Sequence, residues 1–173
     1  DEAVERIVKT AIEAPPPKTP EWVKDPWVNT ERRFTHTLPE AAGKAHGMAN
    51  RRYGQEIADL RRWWIGLMLN SPAPLRESMT LFWHGHFASG FGKVLISQAM
   101  FEQNATLRKH ALGNFRTMLR AVTLDAAMMI YLDLEESEKT QPNENFAREL
   151  YELFTLGHGH YTETDIRETA RAL

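Results

Sequence analysis

The sequence predicts an all-α fold, an irregular bundle of roughly six to eight helices with no sheet. Three observations support this prediction. Apolar residues recur three or four positions apart along most of the chain, as they do on one face of a helix. The β-branched run KVLIS, residues 93–97, has no second run with which to form a strand pair. The chain has 173 residues, of which 42% are hydrophobic, and this suffices for one core.

Residues 1–28 are predicted to form an N-terminal helix and a proline-rich connector, and residues 29–173 a helical core. From Asp1 to Glu13 the apolar residues share one helical face. Prolines at positions 15, 16, 17, 20 and 26 exclude a helix after that point and favour an extended connector. Trp22 and Trp27 are placed to anchor the connector.

Two helices are predicted next, separated by the Pro72 and Pro74 pair. The first begins near Met48 and has an apolar stripe consisting of Ile57, Leu60, Trp64, Leu67 and Met68. The second covers residues 75–88 and has a stripe consisting of Leu75, Met79, Phe82, Trp83 and Phe87. The KVLIS run that follows is interpreted as a loop or the start of another helix.

The last third of the chain alternates helices with polar loops. One helix is predicted from the stripe Leu107, Ala111, Phe115, Met118 and Val122, and a short one over residues 126–132. An acidic loop covers residues 133–142. The next helix has the stripe Phe146, Leu150, Leu153 and Phe154, and should end at Gly157 in a left-handed conformation. Thr162 and Asp165 have the spacing of a capping box that begins a final helix.

Composition excludes several classes of site and partner. A net charge of −2 selects neither nucleic acid nor an anionic membrane, and no apolar stretch is long enough to span a bilayer. The absence of cysteine excludes disulfides, thiolate zinc sites and cysteine nucleophiles. No phosphate loop, dinucleotide fingerprint or His-Glu-x-x-His motif occurs. Lys109, Arg116 and Arg120 form a modest basic face, for which a solvated surface is the simplest explanation.

Two histidines, His84 and His86, stand one residue apart in the sequence LFWHGHFASG. On a continuous helix they project about 200° apart, because each residue advances about 100°. They could then bind one metal ion only if the helix broke near Gly85. His86 falls within the apolar stripe, so we expect it to be buried and to meet a backbone carbonyl or a carboxylate. His84 lies off the stripe and should be the freer of the two.

A second polar constellation lies in residues 143–157, NENFARELYELFTLG. Asn145, Glu149 and Glu152 form a polar stripe beside the apolar one, whereas Glu144, Arg148 and Glu152 are four apart and can form ion pairs along the helix. Two interpretations remain open, an exposed charged face and a buried polar network. In the second, removing Glu149 should destabilise the protein more than removing Glu144. No histidine follows a glutamate by three positions, which argues against a carboxylate-bridged dimetal site.

Three blocks of the sequence together resemble a known family. They are LRESMTLFWHGHFASG, LRKHALGNFRTMLRAVTLDAAMMIYLD and PNENFARELYELFTLGHGHYTETDIRETARAL, and they span about Arg61 to Leu173 in order. The chain is similar to the bacterial domain of unknown function 1800 family. The resemblance implies a larger, often exported protein without an established reaction. It also implies that this chain is an internal fragment, truncated at both ends, whose first partner is the remainder of its own polypeptide.

The blocks concentrate polar residues on otherwise apolar helices, and these residues are the candidates for a shared network. They are His84, His86, His110, Asn114, Asn143, Glu144, Asn145, Arg148, Glu149 and Glu152, with Arg108 beside them. The favoured hypothesis is a binding or scaffold module in which a histidine–glutamate–arginine network fixes helix packing. A protein partner is expected for such a module. The alternative is an enzyme that uses His84 or His86 with Glu149 or Glu152 to bind a divalent metal or to transfer protons.

Overall fold

The all-α prediction is confirmed. The computed structural model describes residues 1–25, 40–138 and 140–173, without the side chains of residues 40–46 and 135. This described part contains nine α-helices and no strand. The helices are α1 (Glu2–Glu13), α2 (Glu40–Asn70), α3 (Pro74–His86), α4 (Phe91–Val94), α5 (Ser97–His110), α6 (Phe115–Thr123), α7 (Ala126–Tyr131), α8 (Asn145–Glu152) and α9 (Glu163–Ala172).

Side-chain caps fix the start of several helices. Asp1 accepts a hydrogen bond from the backbone of α1, and Asn114 and Asp125 do the same for α6 and α7. Thr162 and Asp165 form the predicted capping box of α9. These short polar residues accept hydrogen bonds from backbone N–H groups that have no partner within the helix. Each helix therefore begins at the residue directly after its cap.

Helix α5 is the centre of the fold. It packs against α2, α3, α4, α6 and α7, and nine of its 14 residues are buried. Several of the buried residues are polar, so they require partners on the surrounding helices. The partners join α5 to α2, α3 and α7.

Three apolar clusters lie around this centre. One joins α3, α5, α6, α7 and α8 through buried residues that include Phe87, Leu107 and Phe146. Another joins α2, α4, α5 and α7 around Ile57 and Phe101. A small third cluster holds α9 against α8. Helix α9 is thus attached to α8 by a small apolar cluster that is separate from the two larger ones.

The single helix predicted across Leu107 to Val122 is wrong. The structure divides it into α5 and α6, because Gly113 and Asn114 intervene and the Asn114 side chain caps α6. This division, with the single turn α4, brings the count above the expected six to eight. Helix α8 also ends at Glu152, earlier than predicted, although Gly157 does have the expected left-handed backbone with φ of 79°.

The proline-rich connector differs in part from the prediction: residues 14–20 form no helix, but Glu21–Lys24 form a 3₁₀ helix. Ala14 and Pro20, which bound the non-helical stretch, both have polyproline-like backbone angles. Trp22 packs edge-on against Phe101 of α5 at a ring distance of 6.3 Å, so it anchors the connector. The predicted second anchor, Trp27, and the predicted boundary at residue 28 lie outside the described residues.

Within the ranges given above, no helix combines the length and the apolar character that crossing a bilayer requires.

Candidate ligand-binding cavity

The two histidines of α3 face different neighbours. His86 donates from Nε2 to the backbone carbonyl of Phe154 at 3.1 Å, which is one of the two kinds of partner expected for it. His84 lies against Trp64 of α2 with a ring distance of 5.1 Å, and burial lowers its pKa. Both side chains are half-buried. His86 is thus the histidine with a hydrogen-bonded backbone partner, as expected, although it is not fully buried, whereas α2 partly covers His84.

His110 and Asn114 lie at the junction of α5 and α6. His110 is half-buried at the end of α5, and burial, together with the charge of Lys109, lowers its pKa. The Asn114 side chain accepts a hydrogen bond from the backbone N–H of Thr117 at 3.3 Å. Their observed contacts are those of a helix end and a helix cap.

Asn143 and Asn145 attach the start of α8 to the end of α7. The Asn143 amide donates to the carbonyl of Asp133 at 2.9 Å, and the Asn145 amide donates to the carbonyl of Leu132 at 3.2 Å. Asn143 also accepts a hydrogen bond from the backbone N–H of Asn145 at 2.9 Å. Both asparagines thus satisfy backbone groups between two helices.

Arg148 is the hub of a charged cluster on α8 and α9. Its guanidinium forms a two-point hydrogen-bonded ion pair with Glu163 at 2.8 and 3.1 Å, and contacts Glu144 and Glu152 at 3.6 and 3.5 Å. The hydrogen bonds to Glu163 are the main reason why the pKa of Arg148 is raised. The expected ion pairs along α8 are present, and Glu163 adds a link to α9.

Glu152 also contacts the loop that precedes α9. Tyr161 donates a hydrogen bond to its carboxylate, which is the main reason why the pKa of Glu152 is lowered. His158 lies 3.7 Å from the same carboxylate. Glu149, by contrast, is half-buried and its carboxylate makes no hydrogen bond or ion pair with any described residue.

The polar candidates therefore do not form one network. The contacts of His84 and His86 are with Trp64 and Phe154, whereas those of Glu152 are with Arg148, Tyr161 and His158. No group of three or more histidines and carboxylates capable of holding a metal ion exists within the described ranges. The pairing of an α3 histidine with an α8 glutamate has no support in this geometry.

Among the described residues, the most deeply buried ion pair joins two that sequence reasoning did not connect. Arg108 of α5 donates from Nε and Nη2 to the carboxylate of Glu77 of α3, at 2.9 to 3.3 Å. Both side chains are nearly inaccessible, at 6% and 3% exposure. Arg108 also donates to Asn104, and its cation lies 5.1 Å from the ring of Trp63. The contact between positions 77 and 108 could not be predicted from residue spacing, because the two residues lie on different helices.

Another buried carboxylate, that of Asp125, contacts α5 through Gln103. Asp125 accepts hydrogen bonds from the Gln103 amide at 3.0 Å and from the backbone N–H of Met128 at 2.9 Å. Gln103 in turn accepts a hydrogen bond from Ser89 at 2.5 Å. Burial raises the pKa of Asp125 to about 6, since these neutral donors offset only part of the desolvation.

A cavity of about 640 Å³ lies where the N-terminal segment crosses the core. One wall is formed by residues 11–19, at the end of α1 and in the proline-rich connector. The facing wall consists of Trp63 of α2 and of Phe101, Ala105 and Leu112 from α5 and the turn after it. The cavity therefore has mostly apolar walls that come from segments distant in sequence.

Two side chains hold the connector in place over this cavity. Arg76 of α3 donates from Nη1 to the carbonyl of Ala14 at 2.6 Å and from Nη2 to the carbonyl of Pro15 at 2.9 Å. Trp63 donates from its indole nitrogen to the carbonyl of Lys18 at 2.9 Å. Arg76 and Trp63 thus position the outer wall and also line the space beneath it.

The charged side chains that line the cavity are cationic. Arg76, Arg108 and Lys109 contribute to it, and no aspartate, glutamate or histidine does so in the described part of the chain. Glu77 already neutralises Arg108. The Nε atom of Arg76 is buried and has no hydrogen-bond partner among the described residues. The acceptors of Arg76 are the carbonyls of Ala14 and Pro15, which carry no net charge, so its positive charge remains uncompensated in the cavity wall.

Comparison with known proteins connects the sequence to one family. The family model described as protein of unknown function (DUF1800) matches residues 1–173. This match is wider than the stretch from Arg61 onwards that carries the resemblance in the sequence blocks. No curated protein and no solved structure matches the chain significantly. The chain belongs to the DUF1800 family of proteins of unknown function.

Proposed function

We propose that this helical domain is a binding module, and that its cavity takes a small organic anion with an aromatic or aliphatic body. The buried pairs around α5 serve as the scaffold that holds the cavity walls in register. Export, which the family resemblance implies, forms part of the proposal and is testable by fractionating cells that express the full-length protein.

The size and walls of the cavity support the binding of a small molecule. A volume of about 640 Å³ lies within the range of about 300–1,000 Å³ that is usual for ligand pockets. The faces of Trp63 and Phe101, together with Pro16 and Pro17, provide apolar contact on two sides. Contact with such walls favours binding, because it removes the apolar body of the ligand from water. Apolar walls select a ligand by its shape more than by its hydrogen-bonding pattern.

The observation that carries the proposal is the positive charge of the lining, in which Arg76 and Lys109 have no carboxylate partner among the described residues. Arg76 uses two of its five N–H groups to bind carbonyl oxygens of the connector, and these neutral acceptors leave its charge uncompensated. A carboxylate or sulfonate would pair with these cations through charge-assisted hydrogen bonds. Lys109, also in the lining, adds positive charge at the exposed side of the cavity.

The same lining favours binding over proton transfer. A general acid or base requires a group that titrates near neutral pH, such as a histidine or a perturbed carboxylate. Those described residues that line the cavity include neither kind. Arginine and lysine instead hold a fixed positive charge, which suits the retention of an anion.

The test measures binding of an aromatic anion, anilinonaphthalenesulfonate, by isothermal titration calorimetry. The same measurement with its neutral relative, phenylnaphthylamine, provides the comparison. We expect the sulfonate to bind in one-to-one stoichiometry and more tightly than the neutral compound. Ala105→Phe should abolish binding, because the ring fills the space between the walls. Lys109→Gln should weaken binding about threefold, the effect of one partly exposed charge.

The matched control is Arg61→Gln, which removes an exposed charge from α2 and does not line the cavity. Thermal melts of each variant show whether it remains folded. Equal affinity for the neutral compound, or unchanged binding by a folded Ala105→Phe variant, would refute the proposal. Arg76→Met is a less clean test, because it also releases the connector.

A further inference from the structure

A cluster of aromatic rings runs from the core to the surface at the junction of α3 and α6. Phe87 is fully buried, and its ring stacks against those of Trp83 and Phe115 at 5.9 and 6.2 Å. Trp83 in turn contacts Phe82 at 4.9 Å. The outermost rings, those of Phe82 and Phe115, are 57% and 39% exposed. The packing of the inner rings thus holds these outer rings rigidly at the surface.

Unpaired basic residues follow the exposed ring of Phe115. Arg116 is the next residue of α6 and Arg120 lies one helical turn further, where side chains share a face. Both arginines are exposed and make no hydrogen bond or ion pair with any described residue. The sequence from Gln103 to Leu124 contains no aspartate or glutamate, so no carboxylate within α6 competes for them.

We propose that this aromatic–basic surface, formed by Phe82, Trp83, Phe115, Arg116 and Arg120, docks an acidic peptide segment that carries large apolar anchor residues. Exposed aromatic rings next to arginines have the composition of protein interfaces, in which aromatic and arginine side chains contribute most of the binding energy. The local positive charge stands out against a net charge of −2 for the chain, so it attracts acidic segments selectively.

A peptide fits these observations better than a nucleic acid does. A nucleic-acid surface typically extends a basic stripe along several phosphates, whereas this surface has two free arginines beside rings that present both edges and faces. The exposed rings would bury apolar side chains, and the arginines would pair with carboxylates at the rim. The inference is independent of the cavity, because none of the five surface residues lines it.

The experiment measures fluorescence anisotropy of a short fluorescein-labelled peptide, rich in glutamate with spaced phenylalanines, as the full chain is added. We expect saturable binding that weakens as salt is raised, since exposed charges are screened. The double variant Arg116→Glu with Arg120→Glu should weaken binding about tenfold, mainly through slower association. Phe82→Ser should weaken it comparably by removing an anchor contact.

Matched controls separate this surface from general effects of charge and apolar exposure. Arg61→Glu reverses an exposed charge on α2, and Leu69→Ser removes a side chain of α2 that is 77% exposed. Neither should change the affinity. Peptides with glutamine in place of glutamate, or alanine in place of phenylalanine, should bind weakly. The proposal is overturned if the variants and controls bind alike, or if a labelled single-stranded oligonucleotide binds more tightly than the acidic peptide.

Discussion

Two arginines of this protein pair with carboxylates in opposite environments. Arg108 lies in the middle of the fold, where it meets Glu77 at 2.9 Å with both side chains almost inaccessible to water. Arg148 lies on α8, where it contacts three glutamates and is 35% exposed. The exposed arginine has more ionic partners, and a count of contacts would rank it first.

Burial reverses that ranking. Water screens the Arg148 cluster, and such surface pairs contribute little to stability. The side chains of Arg108 and Glu77 are almost inaccessible to solvent, so removal of one member leaves a poorly compensated charge in the core. The comparison indicates that, in this fold, the burial of an ion pair determines how much the loss of one partner lowers the free energy of unfolding.

The largest effect should follow from Glu77→Ala. This change leaves the Arg108 cation with only Asn104 and the Trp63 ring as partners, so we expect the free energy of unfolding to fall by about 3–5 kcal/mol. Urea denaturation of the wild type and the variant measures the loss. Glu163→Ala is the matched control, because it removes the closest partner of Arg148, and its effect should be far smaller.

A double variant sharpens the same comparison. Glu77→Leu with Arg108→Met removes both buried charges and leaves none unpaired, so it should be more stable than Glu77→Ala alone. If Glu77→Ala and Glu163→Ala destabilise the protein equally, burial does not set the weight of these pairs.

Asp125 extends the comparison to a buried carboxylate whose described partners are neutral donors. Its pKa in the folded protein is about 6, against an ordinary value of 3.8. Between these two pH values the folded state binds a proton that the unfolded state does not. The contribution of Asp125 to the free energy of unfolding therefore falls as pH rises from about 4 to about 6, by roughly 2–3 kcal/mol, and is level above that window.

Asp125→Asn should remove this dependence, because asparagine retains an oxygen that accepts from Gln103 and from the start of α7. The measurement is urea denaturation of both proteins across pH 4 to 7, compared as a difference. Asp165→Asn serves as a control of opposite sign, since hydrogen bonds from Thr162 lower the pKa of that exposed carboxyl. Parallel pH curves for the wild type and Asp125→Asn would contradict the assignment.

Local signals in the sequence predicted most of the helices. The apolar periodicity of residues 1–13, the Pro74 start of α3 and the Thr162–Asp165 capping box all correspond to observed elements. Each signal depends on neighbours within one or two turns. Where two local signals competed, as between the apolar stripe and the Asn114 cap, the cap determined where the helix began.

The buried polar sites were inaccessible to the same reasoning. No apolar stripe was assigned to residues 97–106, so periodicity gave no indication that α5 is surrounded by other helices. The pairing of Glu77 with Arg108 spans 31 positions, and the cavity joins residues 11–19 to residues of α2, α3 and α5. Such contacts arise only from the packing of whole helices, whereas the ion pairs of Arg148 along α8 were visible from spacing alone.

The smallest effect should follow from Glu149→Ala, and this reverses an expectation from the sequence. The stripe of Asn145, Glu149 and Glu152 suggested a paired carboxylate at the edge of the core. In the structure the Glu149 carboxylate has no partner among the described residues, so its removal strands no group and should cost less than about 0.5 kcal/mol. Urea denaturation beside Glu144→Ala provides the measure. A loss above about 1.5 kcal/mol would contradict this prediction, because a cost of that size requires a buried partner left without its hydrogen bond.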